Sequence, residues 1–247
     1  MRIIFSRKGF DSVAGGGPSP IVNGRPISLP IPAYGELSAT KYGDLGFGEF
    51  AKAASRGKYD AGALCHYDPM FLDDGTAMLG QCSGSQGHLA NQGVGPRDVF
   101  LFFGLFADEA TGERHHRIFG FMEVDGVRDV ASADRDDPVC AKAIAANHPH
   151  FIGMHGKNDT LYAGQGGVAQ RDWPELRLTV SGGPASKWHR PKWLKPGGLT
   201  YFPKPENWPE PAMLYRVGNG QEFVADIGRR KAPRDWLAGV IDLIGRS

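Results

Sequence analysis

The sequence predicts an α+β fold with a mixed or barrel-like β-sheet, a few short helices and long loops rich in glycine and proline. Predicted strands outnumber predicted helices, and no regular alternation of strand and helix is present. The 35 Gly and 18 Pro make up about a fifth of the 247 residues. That share is high for a globular protein but lower than in low-complexity chains. We expect one domain over residues 1–247.

The chain begins with a short strand and a tract of chain-breaking residues. Residues 2–5 predict the strand, and residues 15–32 contain nine Gly or Pro, which forbid a helix. The tract is either a disordered loop or a segment wrapped on the core. We favour the wrapped segment because a solvated linker has no need of aliphatic side chains. The tract contains five of them, Ile21, Val22, Ile27, Leu29 and Ile31.

The middle of the chain contains the clearest β signal. A short helix over residues 49–55 and a buried strand over residues 62–67 precede a Gly-, Gln- and Ser-rich loop that extends to residue 95. Residues 99–103 and 118–124 then predict a hairpin. The first of its strands is continuously apolar, which predicts that both of its faces are covered.

The remaining elements are two helices and four strands. Asp137 as the N-cap and Pro138 at the first helical position predict a helix through residue 146. Strands are expected over residues 160–163, 176–180, 213–217 and 221–226. The chain closes with an amphipathic helix, which Pro233 opens. Its apolar face consists of Trp236, Leu237, Val240, Ile241 and Ile244.

Charge and apolar content exclude several classes of protein. The 28 Lys+Arg and 27 Asp+Glu give a net charge of +1, which excludes a polyelectrolyte and speaks against tight duplex binding. The most apolar window, residues 99–107, is far shorter than the roughly 20 residues that span a bilayer. Three cysteines without the spacing of a zinc or redox motif fit a reducing compartment. We therefore expect a cytoplasmic protein with no membrane partner.

The first group of candidate functional residues follows the first strand. Arg7 and Lys8 could hold a phosphate, Arg7 through a bidentate fork and Lys8 as a point charge. Ser6 joins them as a candidate substrate-binding residue, and Asp11 is a candidate catalytic carboxylate. No known phosphate-loop motif is matched, so the alternative is an exposed turn with solvated charges.

The second group lies around the strand predicted over residues 62–67. His66 and Asp68 share a face of a strand, so they could act as a base with its orienting carboxylate or as two metal ligands. Gln81, Gln86 and His88 follow in the predicted loop as candidates for reading a base edge. His88 is also a candidate catalytic residue.

The remaining histidines form no recognisable metal motif. His148, His150 and His155 lie within eight residues, but a zinc site needs further ligands at defined spacing. We therefore expect no metal site, and the sequence identifies no cofactor. His115 and His116 fall in a hydrophilic turn and are expected to be solvated.

A basic, aromatic stretch over residues 187–195 supplies the last candidates. Trp188 could stack on a base and Arg190 could bind phosphate. Equally, the stretch fits a loop anchored on the core by its tryptophans, with its cations in water. Further on, Gln221 and Glu222 point to opposite faces of a predicted strand, so at most one faces a given pocket. Gln221 is the candidate for base reading.

Nine segments, in this order along the chain, resemble the third type of nucleotide modification associated domain. They are SRKGFDSVAGGGPSPI, SLPIP, HYDP, GHL, VGPRDVFLFFGLF, RIFGFMEV, HPH, SKWHRPKW and GQEFV. The resemblance covers nearly the whole chain. It implies an intracellular bacterial or phage protein that makes or recognises hypermodified nucleotides, and it supplies no reaction. Gly17 stands where the family has Cys, which argues against a thiol role there.

A second, shorter resemblance concerns the fold. Residues 95–124 are similar to the central hairpin of PUA-like barrels, which hold flipped or modified bases. This likeness implies a barrel-like sheet that accommodates a single base.

Two function classes follow from these observations. The favoured one is an enzyme acting on a nucleotide or on a base in nucleic acid, with Asp11, His66, Asp68 and His88 as its catalytic candidates. The alternative is a non-catalytic module that reads a modified base by stacking. The expected partner is a nucleotide or a single extruded base. A protein-interaction scaffold is a third class, which the polar residues at the strand ends do not require.

Overall fold

The computed structural model describes residues 1–209, 213–215 and 222–246. Its strands are β1 (Arg2–Arg7), β2 (Ser19–Val22), β3 (Arg25–Pro26), β4 (Ile31–Pro32), β5 (Cys65–His66), β6 (Met70–Phe71), β7 (Thr76–Gln81), β8 (Val99–Asp108), β9 (Arg114–Asp129), β10 (Thr160–Val168), β11 (Lys187–His189), β12 (Met213–Tyr215) and β13 (Glu222–Asp226). Its helices are α1 (Gly48–Ala54), α2 (Ser83–Asn91), α3 (Pro138–Ala145), α4 (Pro149–Ile152) and α5 (Lys231–Gly245).

The main sheet is mixed and curled into a half-barrel. Its strand order is β13-β1-β8-β9-β10-β7-β6, with β2 and β3 attached beside β8. β1 and β8 are parallel, whereas β1 and β13, β8 and β9, and β9 and β10 are antiparallel. The curl brings Gln81 of β7 into contact with Glu222 of β13, although four strands separate β7 from β13 in the sheet order. The predicted α+β fold with a mixed, barrel-like sheet is confirmed.

Alternation along the strands gives the sheet two different faces. On the concave face, Ile4, Phe100, Tyr162 and Val224 belong to one apolar cluster. The convex face carries the larger cluster, against which α5 packs. Because successive side chains of a strand point to opposite faces, Ser6 shares the concave face with Ile4.

The predicted hairpin and the three predicted helices are confirmed, the helix expected over residues 49–55 being α1. β8 and β9 pair over most of their length, and the side chains of β8 enter both apolar clusters, so both of its faces are covered. Asp137 caps α3, because its side chain accepts hydrogen bonds from Val139 N and Cys140 N. In α5 the buried side chains include Leu237, Val240 and Ile244.

The predicted loop up to residue 95 is wrong. It contains β7 and α2, which together position part of the site described below. α2 has two internal glycines, which lower its intrinsic helix propensity. Burial of Gln86 and Leu89 against the sheet supplies the missing stability.

Several smaller predictions also change. The strand predicted over residues 62–67 is limited to β5, and residues 176–180 form no named strand but follow a 3₁₀ turn at Pro174–Leu176. Ile21 and Leu29 are buried, as expected for a wrapped tract, whereas Ile31 is exposed. Residues 216–217 of the strand predicted over 213–217 lie outside the described residues.

His115 and His116 are buried, so the prediction of solvated side chains is wrong. They are 4% and 6% exposed, respectively. Both belong to β9, and the segment around Thr179 covers them. His116 N donates to Thr179 Oγ1 at 2.8 Å.

Among the helices that the structure describes, none combines the length and the apolarity required to cross a bilayer.

Candidate functional site

Glu222 is the centre of a buried polar cluster on the concave face of the sheet. Its side chain is only 1% exposed. Oε1 accepts hydrogen bonds from Ser6 Oγ at 3.0 Å, Lys8 Nζ at 3.1 Å and Gln81 Nε2 at 2.7 Å. β1 and the residue after it supply two of these donors, and the end of β7 supplies the third. The orientation of the carboxylate is therefore fixed from two sides.

The other carboxylate oxygen of Glu222 has no partner. Oε2 is buried and accepts no hydrogen bond from any residue in the described ranges. A buried acceptor without a donor costs about 1–3 kcal/mol, and more when it is charged. The arrangement therefore leaves one strong, fixed acceptor ready for an N–H or O–H group of a bound molecule.

α2 contributes two further polar side chains to this cluster. Tyr162 Oη donates to Gln86 Oε1 at 3.0 Å. His88 Nε2 lies 3.1 Å from Thr200 Oγ1. Burial lowers the pKa of His88 from its usual value of 6.5, against the opposing effect of the Glu222 charge. The imidazole is therefore neutral at neutral pH and able to exchange a proton.

An exposed ring lies beside His88. The Tyr201 and His88 rings are in contact with their centroids 4.5 Å apart and their planes tilted by 36°, and Tyr201 is 47% exposed. Since Val224 N donates to Thr200 Oγ1 at 2.8 Å, the residue before Tyr201 is tied to β13. The aromatic surface is thus held next to the Glu222 cluster.

Two cavities adjoin Lys8. The larger has a volume of about 900 Å³, and its lining includes Lys8, Tyr67, Asp68, Phe71 and Phe119. This volume lies within the range of small-molecule sites.

Arg7 and Asp11 line the smaller cavity, which also includes Lys8 and has a volume of about 320 Å³. Arg7 Nη1 is 3.9 Å from Asp11 Oδ2. Asp11 Oδ1 accepts from the backbone N–H groups of Val13 and Ala14, so this carboxylate closes a turn. Arg7 and Lys8 therefore line one cavity, but the Lys8 ammonium is paired with Glu222 and the Arg7 guanidinium lies near Asp11.

A second cluster, of histidines and carboxylates, lies on the other face of β7. One ring nitrogen from each of His66, His150 and His155 lies within 4.8 Å of the other two. His150 Nδ1 is hydrogen-bonded to Asp159 Oδ1. Burial and the neighbouring histidines lower the pKa of His66 to about 4, although the charge of Asp68 opposes this effect. The His66 imidazole is therefore neutral at neutral pH.

Asp68 faces this cluster and is buried. Its Oδ1 lies 3.5 Å from His148 Nε2, and its Oδ2 lies 3.7 Å from His150 Nε2. Burial alone would raise the pKa of Asp68, but His148, His150 and His66 hold that pKa below its usual range. Asp68 Oδ1 also accepts from Gly80 N at 3.0 Å, so the carboxylate caps the edge of β7. No hydrogen bond between described atoms joins His66 to Asp68 as a base and its orienting carboxylate.

The candidate residues from the sequence therefore do not share one pocket. Five of them belong to the Glu222 cluster, three by direct hydrogen bonds to Glu222 and two through α2. Two belong to the histidine cluster, and two line the smaller cavity together with Lys8. The first five are Ser6, Lys8, Gln81, Gln86 and His88. Gln221 lies outside the described residues.

Trp188 and Arg190 require a correction. Trp188 is 2% exposed and packs against Phe5 and Phe103, so its ring is not available to stack on a base. Arg190 Nη1 donates to Leu194 O at 2.9 Å. Of the two interpretations of the stretch over residues 187–195, the structure supports the loop anchored on the core.

Four side chains of these two clusters were not among the candidates from the sequence. Glu222 follows the candidate Gln221 on the predicted strand and points to its other face. Tyr162, Thr200 and Asp159 belong to no recognisable motif. A charged residue that begins the apolar run EFVA was the one available signal for Glu222. Tyr162, Thr200 and Asp159 are recognised only from their contacts in the structure.

Comparison with known proteins identifies a family for this chain. The family model for nucleotide modification associated domain 3 matches residues 2–226, which is most of the chain. No curated protein and no solved structure matches the chain.

Proposed function

This chain belongs to the nucleotide modification associated domain 3 family, and on that premise we propose that it is an enzyme that modifies a nucleobase held against Glu222. The observation that carries the proposal is the buried Oε2 of Glu222, which has no hydrogen-bond partner among the described residues, while Oε1 is fixed by three donors.

The chemistry of a nucleobase suits this acceptor. Each base has an N–H group on its pairing edge, either in an exocyclic amine or on a ring nitrogen. Enzymes that act on a base read that edge by hydrogen bonds once the base has left the stack. A carboxylate that cannot rotate selects an edge presenting a donor and rejects one presenting only acceptors.

The same groups can move a proton. Glu222 accepts the base N–H and is able to take its proton as the base reacts. Lys8 Nζ, 3.1 Å from Oε1, offsets the negative charge of the carboxylate before that step. Neutral His88 is the second group able to exchange a proton. Its ring is close enough to Glu222 for the carboxylate charge to affect its pKa.

The proposed substrate is a free nucleotide or a single extruded base. The net charge of +1 does not favour binding along a duplex. The cavity of about 900 Å³ that Lys8 lines accommodates a mononucleotide.

The test is a nucleoside census in cells that express the protein, because the cell supplies the co-substrates. DNA, RNA and the free nucleotide pool are digested to nucleosides and compared by mass spectrometry. We expect a new nucleoside with the wild-type protein and none with Glu222→Gln. Glu123→Gln is the matched control, because Glu123 is exposed. The same product from Glu222→Gln would overturn the assignment.

A second candidate function is the binding of a modified base without chemistry. The observation that favours it is the exposed Tyr201 ring in contact with His88, which offers an aromatic surface for base stacking. In this case the census shows no new nucleoside. The purified protein instead binds modified nucleosides, and Tyr201→Ala weakens binding at least as much as Glu222→Gln.

A further inference from the structure

We propose that His66, His150 and His155 form a binding site for a divalent first-row transition metal, with zinc as the representative ion. One ring nitrogen from each residue lies within 4.8 Å of the other two. Zinc binds imidazole nitrogens at about 2.0–2.1 Å. Small side-chain rotations would therefore bring three nitrogens onto one ion.

Hydrogen bonds already fix the tautomers of two of these rings. His150 Nδ1 is bonded to Asp159 Oδ1, which leaves Nε2 with the free lone pair. His155 Nε2 lies 3.3 Å from Pro149 O and donates to it, which leaves Nδ1 free. Metal-binding histidines almost always use their second nitrogen in this way.

Asp159 holds both histidines at once. It is 1% exposed, and its Oδ2 accepts from His155 N at 3.0 Å. A single buried carboxylate therefore sets the ring of His150 and the backbone of His155. A carboxylate that orients a histidine in this way is the usual support of a metal ligand.

Asp68 provides the negative charge that faces the ion. Its Oδ2 lies 3.7 Å from His150 Nε2, which is beyond hydrogen-bond distance and close to the separation of two ligands on one ion. Three imidazoles favour zinc, cobalt, nickel, copper or iron over magnesium or calcium. Three histidine ligands leave a further coordination position, as in catalytic zinc sites.

The absence of a side chain at Gly80 makes room for the site. A Cβ at this position would overlap the His150 ring. The next residue, Gln81, points to the opposite face and contacts Glu222. The histidines thus lie on the opposite face of β7 from Glu222, although Asp68 also lines the larger cavity beside Lys8. The proposed metal site does not depend on the proposed function.

The experiment measures zinc uptake by the full chain, purified without a histidine tag. The protein is stripped with a chelator, equilibrated with zinc and analysed by elemental mass spectrometry. We expect one zinc ion per wild-type chain and none in His66→Gln, His150→Gln or His155→Gln. His189→Gln is the matched control, because His189 is exposed and lies in β11. Asp159→Asn should weaken zinc affinity by about 10–100-fold.

Cobalt gives a second, spectroscopic measurement. Cobalt bound to the wild-type protein should show visible ligand-field bands. These bands should disappear when zinc displaces the cobalt, and they should be missing in His155→Gln. Circular dichroism confirms that each variant is folded. If His150→Gln unfolds, His155→Gln decides, since His155 is only partly buried. A wild-type chain that takes up no zinc, or histidine variants that retain it, would overturn the proposal.

Discussion

Gln81 Nε2 donates to Glu222 Oε1 at 2.7 Å, across 141 positions of sequence. The two residues belong to strands that are not neighbours in the sheet. Their hydrogen bond therefore closes the curl of the half-barrel with side chains where a full barrel would use backbone pairing. The Glu222 cluster is at once a support of the fold and the proposed base site, and its stability and function can be separated by mutation.

The Lys8–Glu222 ion pair should be strongly coupled. Both side chains are largely buried, with exposures of 11% and 1%. Removing one partner of such a pair costs about 3–5 kcal/mol, because the other charge is left uncompensated. We expect Lys8→Met to lower the free energy of unfolding by about 3 kcal/mol, and the double variant with Glu222→Gln to lose less than the two single losses combined. Urea unfolding of the four proteins measures this, and additive losses would contradict it.

His88 should titrate below its usual pKa of 6.5, since burial disfavours its charged form. Glu222 opposes that shift, so Glu222→Gln should lower the His88 pKa further. Proton NMR of the imidazole over a pH series measures both values. A wild-type midpoint at or above 6.5 would show that burial does not dominate. An unchanged or raised midpoint in Glu222→Gln would show that the carboxylate does not act on this ring.

His115 should make the fold sensitive to acid. Its ring nitrogens have no partner among the described residues, and burial together with Arg177 and Arg117 lowers its pKa to about 4. Between pH 6.5 and 4 the unfolded chain binds a proton that the folded chain does not, so stability falls as the pH falls through this window.

The corresponding variant is His115→Leu, which has no titrating ring. We expect its loss of unfolding free energy between pH 7.5 and pH 5 to be smaller than the wild-type loss by about 1–2 kcal/mol. Urea unfolding at the two pH values measures the difference. The exposed His189 provides the control, since His189→Leu should leave the pH dependence unchanged.

Two glycine substitutions should act in opposite directions. Gly80→Ala places a methyl group in the His150 ring, so we expect a loss of about 1–3 kcal/mol of stability. Zinc affinity should fall as well. Gly239 lies exposed inside α5 with no atom near its missing Cβ, so Gly239→Ala should stabilise the protein by about 0.5–1 kcal/mol. Thermal unfolding distinguishes the two, and a neutral Gly80→Ala would show that His150 can move away.

The elements that could be predicted are those whose signal is local. The apolar run of β8 and the Asp137 cap of α3 each suffice to specify an element. α2 could not be predicted, because Gly84 and Gly87 argue against a helix and its stability comes from packing on the sheet. Propensity is a weak guide wherever tertiary contacts decide.

Part of the candidate site could be predicted from the sequence. Ser6 was identified at the end of a predicted strand, and Gln81 and His88 were identified as polar residues of a predicted loop. Glu222, which joins them, could not be placed, because the direction of its side chain matters only once β13 is known to lie beside β1. Asp159 was missed for the same reason, since only its contact with His150 distinguishes it from other loop carboxylates.

Gly80 and Gln81 are consecutive residues of one strand, and they back two different sites on its two faces. A shift of β7 would therefore change the geometry of both sites at once. If an ion at the histidines favours one position of this strand, it changes the affinity for a base at Glu222, and the base must change the affinity for the ion by the same factor. Nucleotide affinities measured on two preparations of this protein can therefore be compared only when the two preparations contain the same amount of bound metal.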